Sequence, residues 1–255
     1  MPPTRIRLRF AKHGDLRLIS HHDLLRCLER AVRRAGLPVA MTQGFTPRPK
    51  LNFAQALALG IEGRREVLEL ELDAPIEPAE VRDRLAATLP AGFAVLEARQ
   101  VPPGRPAQAV AADYCLEVPE PLRPAVRRAL EAFLAAPCWP SVRVRGDRRT
   151  ELDIRPLVLG ARLDHDGRLC VRLALDPMAG SIRPAEWLEA LGLDELAAIG
   201  TPWIREDLIL ADEMPGALAP ALPSGAGVSV VDAPNPNPNS AMLLPNEAES
   251  AGPPS

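Results

Sequence analysis

A chain of 255 residues, 47% hydrophobic and 25% charged, is long enough to bury a core as one large domain or two small ones. The opening MPPTRIRLRF becomes charged at once, and no later apolar run is long enough to span a bilayer, so neither a signal peptide nor a membrane span is predicted. We therefore expect a soluble cytoplasmic protein.

The net charge of −3 is unevenly distributed along the chain. Residues 1–50 carry eleven arginines and lysines against three acidic residues, a net charge of +8, whereas residues 211–255 carry five acidic residues and no basic one. A basic opening on an acidic chain favours an anionic partner, with nucleic acid the usual one. The alternative is that these arginines coat solvated faces of helices and strands.

The four cysteines lie far apart and form no CxxC or CxxxCxxC cluster that could wrap zinc or an iron–sulfur centre. We expect each to be a reduced packing residue, and we expect no metal and no cofactor. They are Cys27, Cys115, Cys138 and Cys170.

In chain order, RIRLRF alternates basic and apolar residues and predicts a strand. A helix then begins at Ser20, which fits a capping box with Asp23, and ends near Gly36. Its apolar face contains Leu24, Leu28, Ala31 and Ala35, and its opposite face contains Arg26, Arg30, Arg33 and Arg34.

Two strands, LNFAQALALG and EVLELELDAP, follow. A helix from Pro78 to Leu89 with Val81 and Leu85 inward comes next, and FAVLEARQV forms a closing strand. The order is β-α-β-β-α-β, a ferredoxin-like unit.

The second half repeats this order. YCLEV predicts a strand, PLRPAVRRALEAFLAA a helix, and SVRVR, ELDIRPLVLGARL and GRLCVRLALDP extended segments, before a helix from Arg183 to Leu191 and the strand WIREDLIL. The predicted fold class is α+β, with tandem ferredoxin-like (βαββαβ) units of antiparallel sheet. The first unit spans residues 1–104, the second spans 105–210, and a disordered Pro/Ala/Asn-rich tail spans 211–255.

Two basic segments of the first half are candidates for binding. The only two lysines among 30 basic residues, Lys12 and Lys50, fall one in each segment. We expect Lys12, Arg17, the start of the first helix and the TPRPK loop to line one basic groove, where helix amide groups and lysines attract phosphate.

In QGFTPRPKLNF, two prolines stiffen the loop, glycine permits close backbone approach, and either phenylalanine could stack on a base. The alternative is a stiff loop whose phenylalanines dock into the core. The predicted nucleic-acid-binding residues are Lys12, Arg17, His21, Arg26, Gln43, Gly44, Phe45, Arg48, Lys50 and Phe53.

Three histidines lie near acidic residues, but His21 and His22 are adjacent on a helix and point about 100° apart, which disfavours a shared metal or acid–base site. In the second half, Asp153 and Arg155 are predicted on one face of a strand. They would form a salt bridge there or receive a ligand.

The stretch from Arg9 to Gly63, with GDLRLISHHDLLR and GFTPRPKLNF, resembles the radical SAM-linked family catalogued as domain of unknown function family 2344; the resemblance extends over residues 4–210. Family members usually have Ser-His-Leu-Asp where this chain has Ser20-His21-His22-Asp23, and Asn-Pro-His-Pro where it has Thr46-Pro47-Arg48-Pro49. The resemblance implies a separate B12-binding-type radical SAM protein as partner and hints at RNA.

These observations lead to three functional hypotheses. The first is a noncatalytic RNA-binding accessory protein that works with the radical SAM enzyme in tRNA or rRNA modification or processing. The second is a protein-interaction subunit that docks on that enzyme without RNA. The third is an endoribonuclease or RNA-modifying enzyme that uses His21 or His22.

Overall fold

The computed structural model describes residues 4–176 and 180–213, and the predicted tail from 214 onward lies outside the described residues. The fold is mixed α and β, with one large, mostly antiparallel sheet, a separate two-stranded sheet and few helices. Within the described ranges, no helix has both the length and the apolar character needed to cross a membrane.

The strands follow the alternating segments of the sequence, where successive side chains point to opposite faces. The strands are β1 Thr4–Lys12, β2 Leu51–Phe53, β3 Glu62–Leu72, β4 Phe93–Val101, β5 Ala109–Glu117, β6 Pro140–Arg145, β7 Arg148–Asp153, β8 Val158–Leu163, β9 Arg168–Asp176, β10 Gly180–Ser181 and β11 Ile204–Leu210.

The helices begin at capping residues or at prolines, which suit the first helical turn. Ser20 caps α1, since its side chain accepts a hydrogen bond from the Asp23 amide. The α-helices are α1 His21–Arg34, α2 Pro78–Ala86, α3 Arg123–Ala135, α4 Pro184–Ala190 and α5 Asp194–Ile199, and short 3₁₀ helices span Gly14–Leu18, Glu120–Leu122, Arg155–Leu157 and Ala211–Glu213.

The main sheet joins both halves of the chain. Its order is β10-β9-β5-β11-β3-β1-β4, with β2 also paired to β3 and β8 also paired to β9. Strands β11 and β3 pair in parallel, with Ile204 opposite Glu62 and Arg205 opposite Gly63. All other pairings are antiparallel. Strand β11 therefore connects the second half to the first.

Two apolar clusters form the core. One packs Ile6, Leu8 and Phe10 of β1 against α1 and α2. The other packs β5, β8 and β9 against α3 and α4, with Phe133 and Trp187 fully buried. The inward positions expected for α1 and α2 are confirmed, because Leu24, Leu28, Ala31, Val81 and Leu85 are buried and Ala35 packs against the cluster, as predicted from their helical spacing.

Three arginines at alternate positions of β1 face the other side of the sheet and are paired there with acidic side chains. Arg5 contacts Glu71 at 3.0 Å and Arg7 contacts Glu69 at 2.9 Å. Each of these three arginines, Arg5, Arg7 and Arg9, is less than 10% exposed. The charges of these three arginines are therefore neutralised within the protein.

An acidic turn, Ala211–Glu213, follows the predicted domain end near Leu210 and contacts β1 and β4. Asp212 lies 2.6 Å from Arg7, and Glu213 pairs with Arg7, Arg9 and Arg99. The Arg7 hydrogen bond is the main reason that the pKa of Asp212 is lowered. The acidic turn Ala211–Glu213 belongs to the folded part because it supplies carboxylates to a basic strand.

Several predicted extended segments differ in the structure. LNFAQALALG forms a strand only over Leu51–Phe53, and the rest is a loop whose Gln55 and Ala56 carbonyls accept hydrogen bonds from Arg205. ELDIRPLVLGARL is divided by a 3₁₀ helix at Arg155–Leu157, where proline favours a turn. Strands β6 and β7 form their own sheet outside the main one.

The expectation of four reduced cysteines is wrong. Cys115 and Cys170 are directly opposite each other on β5 and β9 and form a disulfide, whereas Cys27 and Cys138 are free. Because 55 positions separate the pair along the chain, no local sequence pattern reveals it. Only the strand register brings the two thiols together.

Candidate functional site

A buried polar cluster lies where β1 ends, β3 begins and α1 starts. Lys12 is opposite Gly63 of β3, and Gly63 is opposite Arg205 of β11. Lys12, Glu66 and Arg205 are 1%, 2% and 1% exposed. We call these three residues with His21 the Lys12 cluster.

Glu66 and Arg205 form a two-pronged ion pair. Arg205 Nε donates to Glu66 Oε1 at 2.8 Å, and its Nη2 donates to Glu66 Oε2. Burial opposes the charge of Arg205, but the Glu66 carboxylate outweighs it, so the pKa of Arg205 is raised. A Cβ at Gly63 would lie 2.6 Å from the Glu66 side chain, so glycine is needed there for the carboxylate to fit.

Lys12 differs from Arg205 because it has no carboxylate of its own. No hydrogen bond or ion pair of its ammonium is found within residues 4–176 and 180–213. Its pKa is lowered, chiefly by loss of hydration on burial and then by the nearby Arg205 charge, while Glu66 acts in the opposite direction. Among the described residues, the Lys12 ammonium therefore has no direct partner.

His21 closes the cluster from the start of α1. Its ring lies 4.9 Å from Phe53 in an edge-to-face contact, and Phe53 in turn contacts Phe10 at 6.1 Å. Its Nδ1 atom is buried without a hydrogen-bond partner. Burial, His22 and Lys12 together lower the pKa of His21, which favours the neutral ring.

The structure does not bring the two lysines into one groove. Lys50 lies 3.0 Å from Glu71, near the end of β3, whereas Lys12 is opposite Gly63 at its beginning. Eight residues of strand separate these positions, roughly 25 Å at about 3.3 Å per residue. The expected convergence of Lys12 with the TPRPK loop is therefore wrong.

The loop containing the remaining predicted residues extends as a narrow hairpin. The Thr42 amide donates to the Arg48 carbonyl at 2.8 Å, and the Arg48 amide donates to Thr42 Oγ1 at 3.0 Å. Gln43, Gly44 and Phe45 lie at its exposed tip, where Phe45 has a relative exposure of 110%. Of the two phenylalanines, Phe45 is open to solvent and Phe53 packs against the core.

The other predicted cations lie on or before α1. Arg26, Arg30, Arg33 and Arg34 are exposed on the helix, as their spacing predicts, and Arg17 is half-buried in the preceding 3₁₀ helix. Arg26 is 3.6 Å from Asp23, and Arg34 donates to the Thr88 carbonyl at 2.7 Å. The helix therefore presents a basic surface.

The second-half pair has a structural role. The Asp153 carboxylate accepts from the amides of Trp139 at 2.7 Å and of Arg155 at 3.0 Å. The Arg155 guanidinium instead lies 5.4 Å from the centre of the Phe133 ring. The expected salt bridge on one strand face is wrong, because the chain leaves the strand between the two residues.

Sequence reasoning missed Glu66 and Arg205. A usable signal exists for Glu66, which occupies the same inward alternation as Leu68, Leu70 and Leu72. A charge at a position reserved for apolar residues indicates a buried partner. In the part of the chain that the structure describes, no group of three or more His, Cys, Asp or Glu side chains could hold a metal ion.

Comparison with known proteins identifies a family but no activity. A family model described as "Uncharacterized protein conserved in bacteria (DUF2344)" matches residues 5–184. No curated protein matches the chain. A solved structure described as "Crystal Structure of an Unknown Protein from Galdieria sulphuraria" covers 82% of this chain and 99% of its own at 12% identity, but its TM-score of 0.24 is too low to support any argument.

Proposed function

We propose, from the premise that the chain belongs to the bacterial family DUF2344, that it is a noncatalytic RNA-binding accessory protein. The observation that carries this proposal is the exposed basic face of α1, formed by Arg26, Arg30, Arg33 and Arg34. Arginine side chains on an exposed helix contact phosphates without any change in the core.

Among the basic residues of positions 1–50, four are paired with carboxylates and so are less available to a polyanion. Arg5, Arg7, Arg9 and Lys50 are all paired with carboxylates. Because those charges are satisfied internally, the part of this basic opening that would attract a polyanion is mainly α1 and the exposed Arg48. The binding surface proposed here is therefore smaller than the +8 of the opening residues suggests.

Phe45 adds a stacking position to this proposal. Its ring is fully exposed at the tip of the hydrogen-bonded hairpin, so it contributes no buried apolar area to the stability of the free protein. Stacking of a base on an exposed aromatic ring contributes about 1 to 3 kcal/mol. Phe45 would then hold a base while arginines hold the backbone.

The strand orders support a finer description of the fold. The first half has the order β4-β1-β3-β2 and the second has β11-β5-β9-β8, so equivalent strands occupy equivalent places. We interpret each half as a ferredoxin-like unit, with the boundary near residue 104 and a disordered tail after the acidic turn. We further propose a cytoplasmic location and a B12-binding-type radical SAM enzyme as the partner that receives the RNA.

Binding to tRNA and rRNA fragments over a salt series tests the proposal. We expect affinity to fall with salt, with a slope of about −0.7 per phosphate contact on a single strand. Arg30→Ala with Arg33→Ala should reduce both the affinity and the slope. The matched control is Arg127→Ala with Arg128→Ala, which removes two exposed arginines from α3 and should leave binding unchanged. Affinity that is indifferent to salt, or equal losses in both variants, would refute RNA binding by α1.

A second function, docking on the radical SAM enzyme without RNA, is favoured by an apolar surface beside the Lys12 cluster. Leu18 and Leu59 are 59% and 66% exposed. Their segments are joined by the hydrogen bond from the Gly60 amide to the Arg17 carbonyl at 2.8 Å. Co-purification that survives nuclease and is lost in Leu18→Ser with Leu59→Ser would support this function, and loss on nuclease treatment would refute it.

A further inference from the structure

The Lys12 cluster contains a cation that no residue in the described ranges neutralises by direct contact. Lys12 is 1% exposed, and its ammonium has neither a hydrogen bond nor an ion pair among the described residues. A buried ammonium without compensation costs several kcal/mol. Natural proteins retain such a group mainly at functional sites.

The charges that surround Lys12 leave a surplus of one positive charge. Glu66 faces it from β3, Arg205 faces it from β11, and His21 faces it from α1. The Glu66 carboxylate is committed to Arg205 through both oxygens. When His21 is neutral, the positive charges of Lys12 and Arg205 and the negative charge of Glu66 sum to +1. A bound anion would balance this charge.

Two further groups at this place suit an anion. The buried His21 Nδ1 has no hydrogen-bond partner among the described residues. In the neutral tautomer that carries its hydrogen on Nδ1, this atom can donate to an oxygen of a ligand. The first turn of the 14-residue helix α1 also contributes the positive end of its dipole. Ser20 caps only the Asp23 amide, which leaves the amides of His21 and His22 for a ligand.

One carboxylate lies in the same turn and is already compensated. Asp23 accepts a hydrogen bond from the Ser20 hydroxyl at 2.7 Å and lies 3.6 Å from Arg26. Its side chain is 58% exposed, so water screens its charge. The inward side of the turn therefore remains positive.

We propose that Lys12, His21 and the first turn of α1 form a binding site for a phosphate group. Lysine contributes a compact charge that suits tetrahedral phosphate, and helix amides donate along its oxygens. The site lies roughly 25 Å from the Lys50–Glu71 pair at the far end of β3. Its charge comes from Lys12 rather than from the exposed arginines of α1, so the site does not depend on RNA binding by those arginines.

Because the chain has only two lysines, isotope labelling of lysine makes the test direct. In an NMR titration with inorganic phosphate against sodium chloride of equal ionic strength, we expect the Lys12 side-chain signal to move and its pKa to rise. The Lys50 signal should stay in place, since its ammonium is paired with Glu71. Equal shifts of both signals, or none at Lys12, would refute the site.

Two lysine variants separate binding from folding. Lys12→Met keeps the chain length, removes the charge and should lose at least tenfold in affinity for inorganic phosphate while remaining folded. Lys50→Met removes the same charge elsewhere and should bind phosphate as the wild type does. Phosphate-dependent thermal stabilisation that persists in Lys12→Met would contradict the proposal.

The source of the phosphate group is resolved by a second titration. A short oligonucleotide with a 5′-phosphate and the same oligonucleotide without it are compared for their effect on the Lys12 signal. A Lys12 shift that requires the 5′-phosphate assigns the site to an RNA end. A shift with inorganic phosphate but with neither oligonucleotide assigns it to a small phosphate ester. Arg30→Ala with Arg33→Ala should leave the Lys12 response intact, which distinguishes failure of this site from failure of the α1 surface.

Discussion

The Glu66–Arg205 ion pair allows a quantitative test of how the two halves are joined. Both side chains are 2% exposed, and they link β3 of the first half to β11 of the second. Glu66→Gln removes one charge with almost no change in volume and leaves the Arg205 guanidinium buried without its counterion. Breaking such a pair from one side costs about 3 to 5 kcal/mol, a large part of a total stability of about 5 to 15 kcal/mol.

The assay is urea unfolding followed by circular dichroism, with the midpoint and slope compared between variants. The control is Glu80→Gln, which breaks the Arg84–Glu80 pair on α2, where both side chains are more than 40% exposed. That surface pair should contribute at most about 0.5 kcal/mol. Glu66→Gln combined with Arg205→Met should recover much of the loss, because the buried guanidinium that Glu66→Gln leaves without its counterion is then absent. If Glu66→Gln costs no more than Glu80→Gln, the reasoning about burial is refuted.

Three further predictions concern other parts of the molecule. The Lys50 hydrogen bond is the main reason that the pKa of Glu71 lies below its usual 4.5. The Glu71 carboxylate therefore stabilises the fold fully above that pH, and this stabilisation is lost as pH falls through the lowered pKa. Glu71→Gln should flatten this loss of stability in acid, measured as the free energy of unfolding against pH. Phe45→Ser should leave the melting temperature unchanged because the ring is fully exposed, and a drop would show that it packs in solution. Cys170→Ala should lower the free energy of unfolding by at most about 4 kcal/mol, because the disulfide closes a loop with a sequence separation of 55. Thiol alkylation without reductant should modify two cysteines rather than four.

Local periodicity was sufficient to predict most helices and strands. The Leu24–Leu28 spacing and the Ser20 cap identified α1, and the alternation of EVLELEL identified β3. The prediction was wrong where backbone direction depends on distant partners, as in the loop after Phe53, whose carbonyls accept from an arginine about 150 positions away.

The candidate site was predicted less well than the fold. His21 and Lys12 were both identified as binding candidates, but their closeness to each other and to Arg205 follows from strand register. The loop was predicted to be stiff, with phenylalanines that either stack on a base or dock into the core. Phe45 is exposed, whereas Phe53 packs against Phe10 and His21. Sequence could not distinguish the two phenylalanines because both flank the same prolines.

The sequence by itself determined the element types, the inward faces of the helices and the exposed arginines of α1, because these depend on spacing over a few residues. Tertiary structure alone decided which charges are free. From the sequence, Arg7 and Arg9 could be surface cations, but in the structure the turn at Asp212 and Glu213 pairs with them. Lys12 was predicted as an accessible phosphate contact, but it is buried among β3, β11 and α1. Pairing and burial join residues up to 206 positions apart, and no local pattern of side chains records such a distance.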